Sequence, residues 1–119
     1  MASVGKGARL KGSNFEREIA NLLTEETGVK FERGLAQTRG GGAEVADVTT
    51  QVALPKKLHF ELKRQIRCNI KAAYEQALED AVPDALRVIV TKSDRQPTLV
   101  TMELAQWLEF FKPWLATRE

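Results

Sequence analysis

Cysteine and histidine, from which proteins build disulfides and many metal sites, occur only once each in this chain of 119 residues. Cys68 therefore has no partner for an internal disulfide and cannot by itself make a cysteine-rich zinc site. His59 excludes any mechanism that needs two histidines of one chain, and a lone histidine on a strand is more often surface filler than a ligand. A reducing, cytoplasmic compartment is the expected environment.

Long apolar runs are also missing from the sequence. No stretch approaches the roughly 18 residues that span a bilayer, and residues 1–11 lack the hydrophobic region of a signal peptide. Apolar residues make up 43% of the chain and charged residues 29%, which is ordinary for one soluble domain. We expect an intracellular protein with no membrane partner, acting at the nucleoid of a cell or encoded by a virus and acting in its host.

Excess charge of one sign is absent too, since 18 basic residues face 16 acidic ones, but the charges are unevenly placed. Lys6, Arg9 and Lys11 precede the first acid, Glu16, in a segment that is rich in glycine. The pattern predicts a flexible basic arm at residues 1–12, followed by a single domain at residues 13–119. Such an arm suits contact with DNA phosphates, although a solubilising tail has the same composition.

Hydrophobic periodicity predicts the order αβββαββα, which is an α/β fold with a central mixed β-sheet flanked by helices. Ser13 and Glu16 form a capping-box pattern that predicts the start of the first helix. The segment from residue 34 to residue 44 contains Arg39 and three consecutive glycines, and predicts a loop. The remaining predicted elements are strands at 29–33, 45–54, 57–63, 86–91 and 98–102 and helices at 70–82 and 103–112.

The polar residues of the third predicted strand share one face. Side chains alternate along a strand, so His59, Glu61 and Lys63 point the same way, and the preceding strand carries Asp47. A carboxylate from each of two neighbouring strands suits a hard cation such as Mg²⁺, and a lysine beside it can orient or deprotonate water. About one acid-x-Lys triplet is expected by chance in this composition. A solvated strand face therefore remains an alternative on spacing alone.

Four segments together resemble the PD-(D/E)XK nuclease superfamily and, within it, the archaeal-type Holliday-junction resolvases. They read KGSNFERE at residues 11–18, RGGG at 39–42, Ala-Asp-Val at 46–48 and Phe-Glu-Leu-Lys at 60–63. The resemblance covers residues 11–91 and implies a restriction-endonuclease-like αβββαβ core. Ala46 stands where the family commonly has proline, and the chain after residue 91 matches none of its motifs.

The resemblance also implies roles for individual residues. It makes Asp47, Glu61 and the backbone carbonyl of Leu62 ligands of Mg²⁺, for which Mn²⁺ can substitute, and it makes Lys63 the residue that activates water. Glu16 corresponds to an acid of the family's first helix that binds metal or positions water, and a purely structural role in the capping box remains open. The basic residues expected to contact DNA phosphates are Lys6, Arg9, Lys11, Arg33, Arg39 and Arg64.

Aromatic residues crowd the end of the sequence. Leu104, Trp107, Leu108 and Phe111 form a helical stripe that can serve the core, which leaves Phe110 and Trp114 without a role. A surplus apolar face in a small domain marks an interface. The pattern predicts a homodimer, whose two active sites would lie on paired strands of branched DNA.

These observations predict a Mg²⁺-dependent endodeoxyribonuclease that resolves four-way (Holliday) junctions by paired phosphodiester hydrolysis in recombination or repair. Because a single small domain has no room for a separate sequence-reading module, we expect recognition of DNA shape. Two alternatives remain within the same fold: another PD-(D/E)XK nuclease of the repair or restriction type, and a catalytically inactive nucleic-acid-binding module. A third alternative is a partner-binding domain without metal affinity.

Overall fold

A five-stranded mixed sheet organises the residues that the computed structural model describes, which are 3–34 and 46–118, with the side chains of the first helix described from residue 10 onward. The strands lie in the order β1 to β5; β3 and β4 are parallel, and the other neighbours are antiparallel. This arrangement confirms the predicted αβββαββα order and the restriction-endonuclease-like mixed sheet. The elements are α1 (Ser3–Thr27), β1 (Glu32–Arg33), β2 (Val48–Thr49), β3 (Leu58–Gln65), α2 (Ile70–Asp80), β4 (Leu86–Ser93), β5 (Leu99–Thr101) and α3 (Leu104–Ala116).

Two hydrophobic clusters cover the two faces of the sheet, because alternate residues of β3 and β4 point in opposite directions. On one face, Phe60 and Val88 pack with Phe15 and Ile19 of α1. On the other face, Ile89 packs with Ala73 and Ala77 of α2. The small alanines let α2 approach the sheet closely, and α2 makes the crossover connection that two parallel strands require. Glu61 lies on this second face, next to Ile89 in the register.

The first helix begins at Ser3, so the prediction of a helix start at Ser13 is wrong. Adding residues to an existing helix costs less free energy than nucleating one, and Phe15 and Ile19 anchor the helix in the core. Ser13 therefore lies inside α1 and is not a capping residue. The predicted arm at residues 1–12 is helical from Ser3 onward.

Other boundaries also differ from the predictions. Strand β2 has two residues, because Thr50 leaves the ladder: its hydroxyl donates to the Lys30 carbonyl at 2.7 Å and accepts from the Val52 amide at 3.2 Å. Helix α3 continues past Pro113 to Ala116. Proline removes one backbone donor without preventing the next turn. None of the described helices is both long and apolar enough to cross a membrane.

Candidate active site

Asp47 lies immediately before β2 and is bonded to both neighbouring segments. Its carbonyl accepts from the Gly34 amide at 2.9 Å, and its own amide donates to the Phe60 carbonyl at 2.9 Å. Its carboxylate oxygen Oδ2 accepts from the Leu62 amide at 2.8 Å. Two of these three hydrogen bonds fix Asp47 against β3, the strand that carries Glu61 and Lys63, and the third holds it to Gly34, next to β1.

Gly34 allows this arrangement because it has no side chain. A Cβ atom at this position would overlap the backbone carbonyl oxygen of Ala46, the residue before Asp47. Gly34 is buried, and its amide is the one that bonds to Asp47. The close approach of two backbones therefore requires glycine here. Its role is to let the segment bearing Asp47 lie against β1.

Glu61 and His59 form a buried pair on the α2 side of β3. Their exposed fractions are 4% and 2%, and His59 Nε2 lies 3.2 Å from Glu61 Oε1. A buried carboxylate needs hydrogen-bond partners to hold one orientation. His59 supplies such a partner, so the prediction that it is a surface residue is wrong. The alternation of side chains along β3 had already placed His59 and Glu61 on one face, and this is the sequence signal for their pairing.

The pKa of Asp47 depends on all three of the other predicted catalytic residues. The pKa of Asp47 is raised from 3.8 to about 7, and burial is the largest cause. The negative charges of Glu61 and Glu16 contribute to the rise, while the Leu62 amide and the Lys63 ammonium oppose it. Four residues separated by up to 47 positions in sequence therefore lie within one electrostatic neighbourhood. Strongly shifted carboxylates beside charged partners are typical of functional sites.

Lys63 points an available ammonium group at this neighbourhood. Within residues 3–34 and 46–118, we find no hydrogen bond and no ion pair of its side chain. Its backbone carbonyl accepts a weak hydrogen bond from the Cys68 thiol, at 3.4 Å. The lysine is half-buried and lies two residues after Glu61 on the same strand face. Its ammonium is thus able to bind a phosphate oxygen or a water molecule.

Glu16 reaches the site from α1 and is held there by Arg33. Arg33 Nε donates to Glu16 Oε1 at 2.9 Å, and Arg33 Nη2 donates to Ser13 Oγ at 3.4 Å. The structure therefore places Arg33, predicted to contact phosphates, as the ion-pair partner of Glu16. Ser13 lies inside α1 and accepts from Arg33 of β1, so Ser13 and Glu16 do not form a capping box.

Two of the predicted DNA-binding residues converge near the end of β3. Lys11 and Arg64 line a shallow groove of about 350 Å³. Arg64 Nη1 donates to Asp94 Oδ1 at 2.6 Å, and this bond, with the charges of Lys11 and Lys92, holds the pKa of Asp94 below its usual value. The side chains of Lys6 and Arg9, and all of Arg39, lie outside the described residues. The groove lies on the α1 side of β3, because Arg64 follows Lys63 and points to the opposite face, and Glu18 also lines it.

The donor set fits a divalent cation that keeps part of its own water shell. Among the described side chains, no group of three or more His, Cys, Asp or Glu is arranged to hold a metal ion. Asp47 is half-buried and Glu61 is buried, and the raised pKa of Asp47 shows that its ionised form is poorly solvated there, with the negative charges of Glu61 and Glu16 adding to the effect. A cation such as Mg²⁺ binds through one or two carboxylates with water and phosphate oxygens. Such an ion would compensate this charge.

Three residues that the sequence reasoning did not assign to the site contribute to it. His59 bonds to Glu61, Gly34 admits the Asp47 segment, and Asp94 holds Arg64. Strand alternation pointed to His59. Nothing in the sequence pointed to Gly34 or Asp94, because their partners are fixed by the pairing of distant segments.

Comparison with known proteins places the chain in a protein family. Residues 7–117 match the profile of a family described as "Phage putative PDDEXK endonuclease". Searches of curated proteins and of solved structures returned no match. The family match supports the PD-(D/E)XK superfamily that the motifs resemble, and does not extend to the archaeal-type resolvases.

Proposed function

The chain belongs to this phage PDDEXK endonuclease family, and from that premise we propose that it is a metal-dependent endodeoxyribonuclease that cuts four-way DNA junctions. The observation that carries the nuclease proposal is the shared electrostatic environment of Asp47, Glu61, Lys63 and Glu16. Two carboxylates, a lysine without a partner among the described residues and a third acid on the first helix form the set that phosphodiester hydrolysis needs. The sequence motifs and the geometry point to the same residues.

Asp47 and Glu61 would hold the cation, together with the backbone carbonyl of Leu62. Mg²⁺ is the proposed ion and Mn²⁺ its substitute, because carboxylate and carbonyl oxygens suit both. When bound, the ion would lower the pKa of a water molecule and offset the charge that develops on the phosphate. His59 keeps the Glu61 carboxylate in one orientation, and the Leu62 amide does the same for Asp47.

Lys63 would act on the water and not on the ion. In its ammonium form Lys63 can orient the attacking water against the phosphorus, and the water's proton then passes to solvent. In its neutral amine form Lys63 can accept that proton itself. The water oxygen then bonds to phosphorus, one backbone P–O bond breaks, and the leaving oxygen takes up a proton. Glu16 lies close enough to affect the charge on Asp47, and its ion pair with Arg33 fixes where its carboxylate lies. We assign Glu16 to positioning the water or an additional ligand.

Substrate shape, not base sequence, is the proposed basis of selection. Lys11 and Arg64 line a groove between α1 and β3, and these positive side chains would contact the DNA backbone. Phosphate contacts position a protein on DNA without reading bases. The resemblance to junction resolvases favours a four-way junction among branched substrates. Paired cutting of a junction needs two active sites, and therefore a homodimer.

The test uses three labelled substrates of equal length: a four-way junction, a linear duplex and a flap, each with Mg²⁺, Mn²⁺ or EDTA. We expect symmetric cuts in the junction with either ion and none with EDTA. Equal cutting of all three substrates would instead identify a general nuclease of the repair or restriction type. Binding to the junction without any cutting would identify an inactive DNA-binding module.

Two variants separate chemistry from binding. Lys63→Met removes the ammonium and keeps most of the side-chain volume, so cutting should fall about 100-fold or more while junction affinity stays within a few fold. Lys71→Met is the matched control, because Lys71 is exposed on α2. A Lys63→Met protein that cuts at the wild-type rate would refute the proposed role.

A further inference from the structure

Helix α3 is attached to the sheet by polar contacts. Arg87 Nη2 donates to Glu103 Oε2 at 2.6 Å, and the Tyr74 hydroxyl donates to the same oxygen at 2.7 Å. The Arg87 amide donates to Gln106 Oε1 at 2.8 Å, and Lys56 lies 3.7 Å from Glu109. These contacts occupy the start of the helix and one side of it. Neither described core cluster includes a residue of α3.

The apolar side of the same helix is only partly covered by the described residues. None of the residues of α3 is buried, so the prediction that Leu104 and Trp107 serve the core is wrong. Leu104 is 71% exposed and Trp114 is 67% exposed. Trp107, Phe111 and Trp114 stack on one another, with ring centroids 4.5 and 5.8 Å apart. A helix that turns its polar side to the domain and its aromatic side outward is typical of an interface.

Strand β5 extends this apolar area. It is the last strand of the sheet, so one of its edges has no partner strand among the described residues. Leu99 and Val100 on this strand are exposed, Val100 by 63%. Proteins rarely leave an apolar edge strand unprotected, because it pairs with other chains. Val100 lies beside Leu104 and Trp107, whereas Leu99 points to the opposite face of the strand. We call the combined area the α3–β5 surface; it consists of Val100, Leu104, Trp107, Phe110 and Trp114.

The area of this surface is close to what a stable dimer needs. Its five side chains expose about 600 Å² of mostly apolar area, taking ~150–250 Å² for a whole aromatic side chain. A standard interface buries about 800 Å² on each partner. Residues at the rim of the five side chains would supply the remainder. A partner protein of ordinary interface size would therefore bury most of the apolar area that this surface exposes.

We propose that the α3–β5 surface binds the same surface of a second copy of this chain. A twofold axis brings identical patches together, so an apolar patch meets an apolar patch without any need for charge complementarity. Charge argues against a nucleic acid as the occupant, since α3 carries one acid, Glu109, and one base, Lys112. The surface is separated from Asp47 by β3 and β4 in the sheet order. Dimerisation through this surface can therefore be tested separately from the proposed nuclease activity.

Sedimentation equilibrium of the purified protein between about 1 and 50 μM, without DNA or metal, tests the proposal. We expect a dimer for the wild-type protein and a monomer for Leu104→Glu/Trp114→Glu. Leu22→Glu is the matched control, because Leu22 is an exposed leucine of α1 outside the surface, and it should remain a dimer. A monomeric wild-type protein at 50 μM, or a dimeric double variant, would overturn the proposal.

A second measurement needs no variant. Both tryptophans of the chain, Trp107 and Trp114, belong to the α3–β5 surface. In a dimer of this kind, acrylamide should quench their fluorescence weakly, because the partner covers the rings. Strong quenching at 50 μM, at the level of an exposed tryptophan, would contradict this interface even if a dimer forms through another one.

Discussion

Replacing Asp47 with asparagine should stabilise the protein at alkaline pH while abolishing its activity. The change removes one negative charge and keeps the shape of the side chain, and the amide oxygen can still accept from Leu62. In the folded chain, burial holds the pKa of Asp47 at about 7, against an ordinary value of 3.8. Ionised Asp47 is therefore a cost to folding, and the variant lacks that cost.

The size and the sign of the effect follow from the two pKa values. Between about pH 4 and pH 7 the folded chain keeps a proton that the unfolded chain has lost, so the free energy of unfolding falls as pH rises. Three pKa units at about 1.4 kcal/mol each give a cost of roughly 4 kcal/mol above pH 7. Relaxation around the charge reduces this figure. We expect the free energy of unfolding of Asp47→Asn to exceed that of the wild-type protein by at least ~1 kcal/mol at pH 8.

Urea denaturation at pH 4 and at pH 8, in EDTA, measures the effect. The stability of the wild-type protein should fall relative to that of Asp47→Asn between these two pH values. Asp84→Asn is the matched control, since Asp84 is exposed, and it should follow the wild-type protein. Adding Mg²⁺ at pH 8 should stabilise the wild-type protein, by about 2.7 kcal/mol at 100 times the dissociation constant, and should leave the variant unchanged. Equal stability of the wild type and Asp47→Asn at pH 8 would refute the account of a buried, uncompensated carboxylate.

Three further changes test the residues that support the site. His59→Leu should weaken Mn²⁺ binding, measured by calorimetry, about 10- to 100-fold, because Glu61 loses its hydrogen-bond partner. His59→Gln keeps a donor and should recover most of the lost affinity. Equal affinities for the two variants would exclude a positioning role for His59. Gly34→Ala should lower the free energy of unfolding in urea by about 1–3 kcal/mol and reduce cutting about 100-fold. Gly12→Ala should do neither, because its added Cβ meets nothing within 4 Å. Arg64→Gln should lower the slope of log affinity against log salt for junction DNA by about one, whereas Lys71→Gln should leave the slope unchanged. An unchanged slope for Arg64→Gln would exclude Arg64 from the DNA-binding surface.

The position of the candidate site was largely predictable from local sequence. Alternation along β3 put Glu61 and Lys63 on one face, and the turn before it made β2 its antiparallel neighbour, which brought Asp47 close. These inferences succeed because strand periodicity and short connections depend on nearby residues. The same reasoning assigned His59 to the surface, since periodicity gives the face of a strand and not what covers that face. Helix α2 covers it here.

The ends of the elements and the packing of α3 were not predictable in the same way. The capping-box pattern at Ser13 and Glu16 is real in sequence, yet Glu16 pairs with Arg33 across the fold. The apolar stripe of α3 predicts burial, but burial depends on whether the sheet offers an apolar surface at that place, and there it offers Arg87. An ion pair or a covered face involves residues distant in sequence, so local pattern cannot specify it.

The sequence by itself determined the order of the elements, the α/β class, and the two carboxylates and the lysine on adjacent strands, because these follow from periodicity and composition. The tertiary structure decided the rest. It partly buried Asp47 and so raised its pKa, paired Glu61 with His59 and Arg33 with Glu16, and left the aromatic side of α3 exposed. Desolvation and ion pairing depend on which distant segments meet, and only the folded chain specifies that.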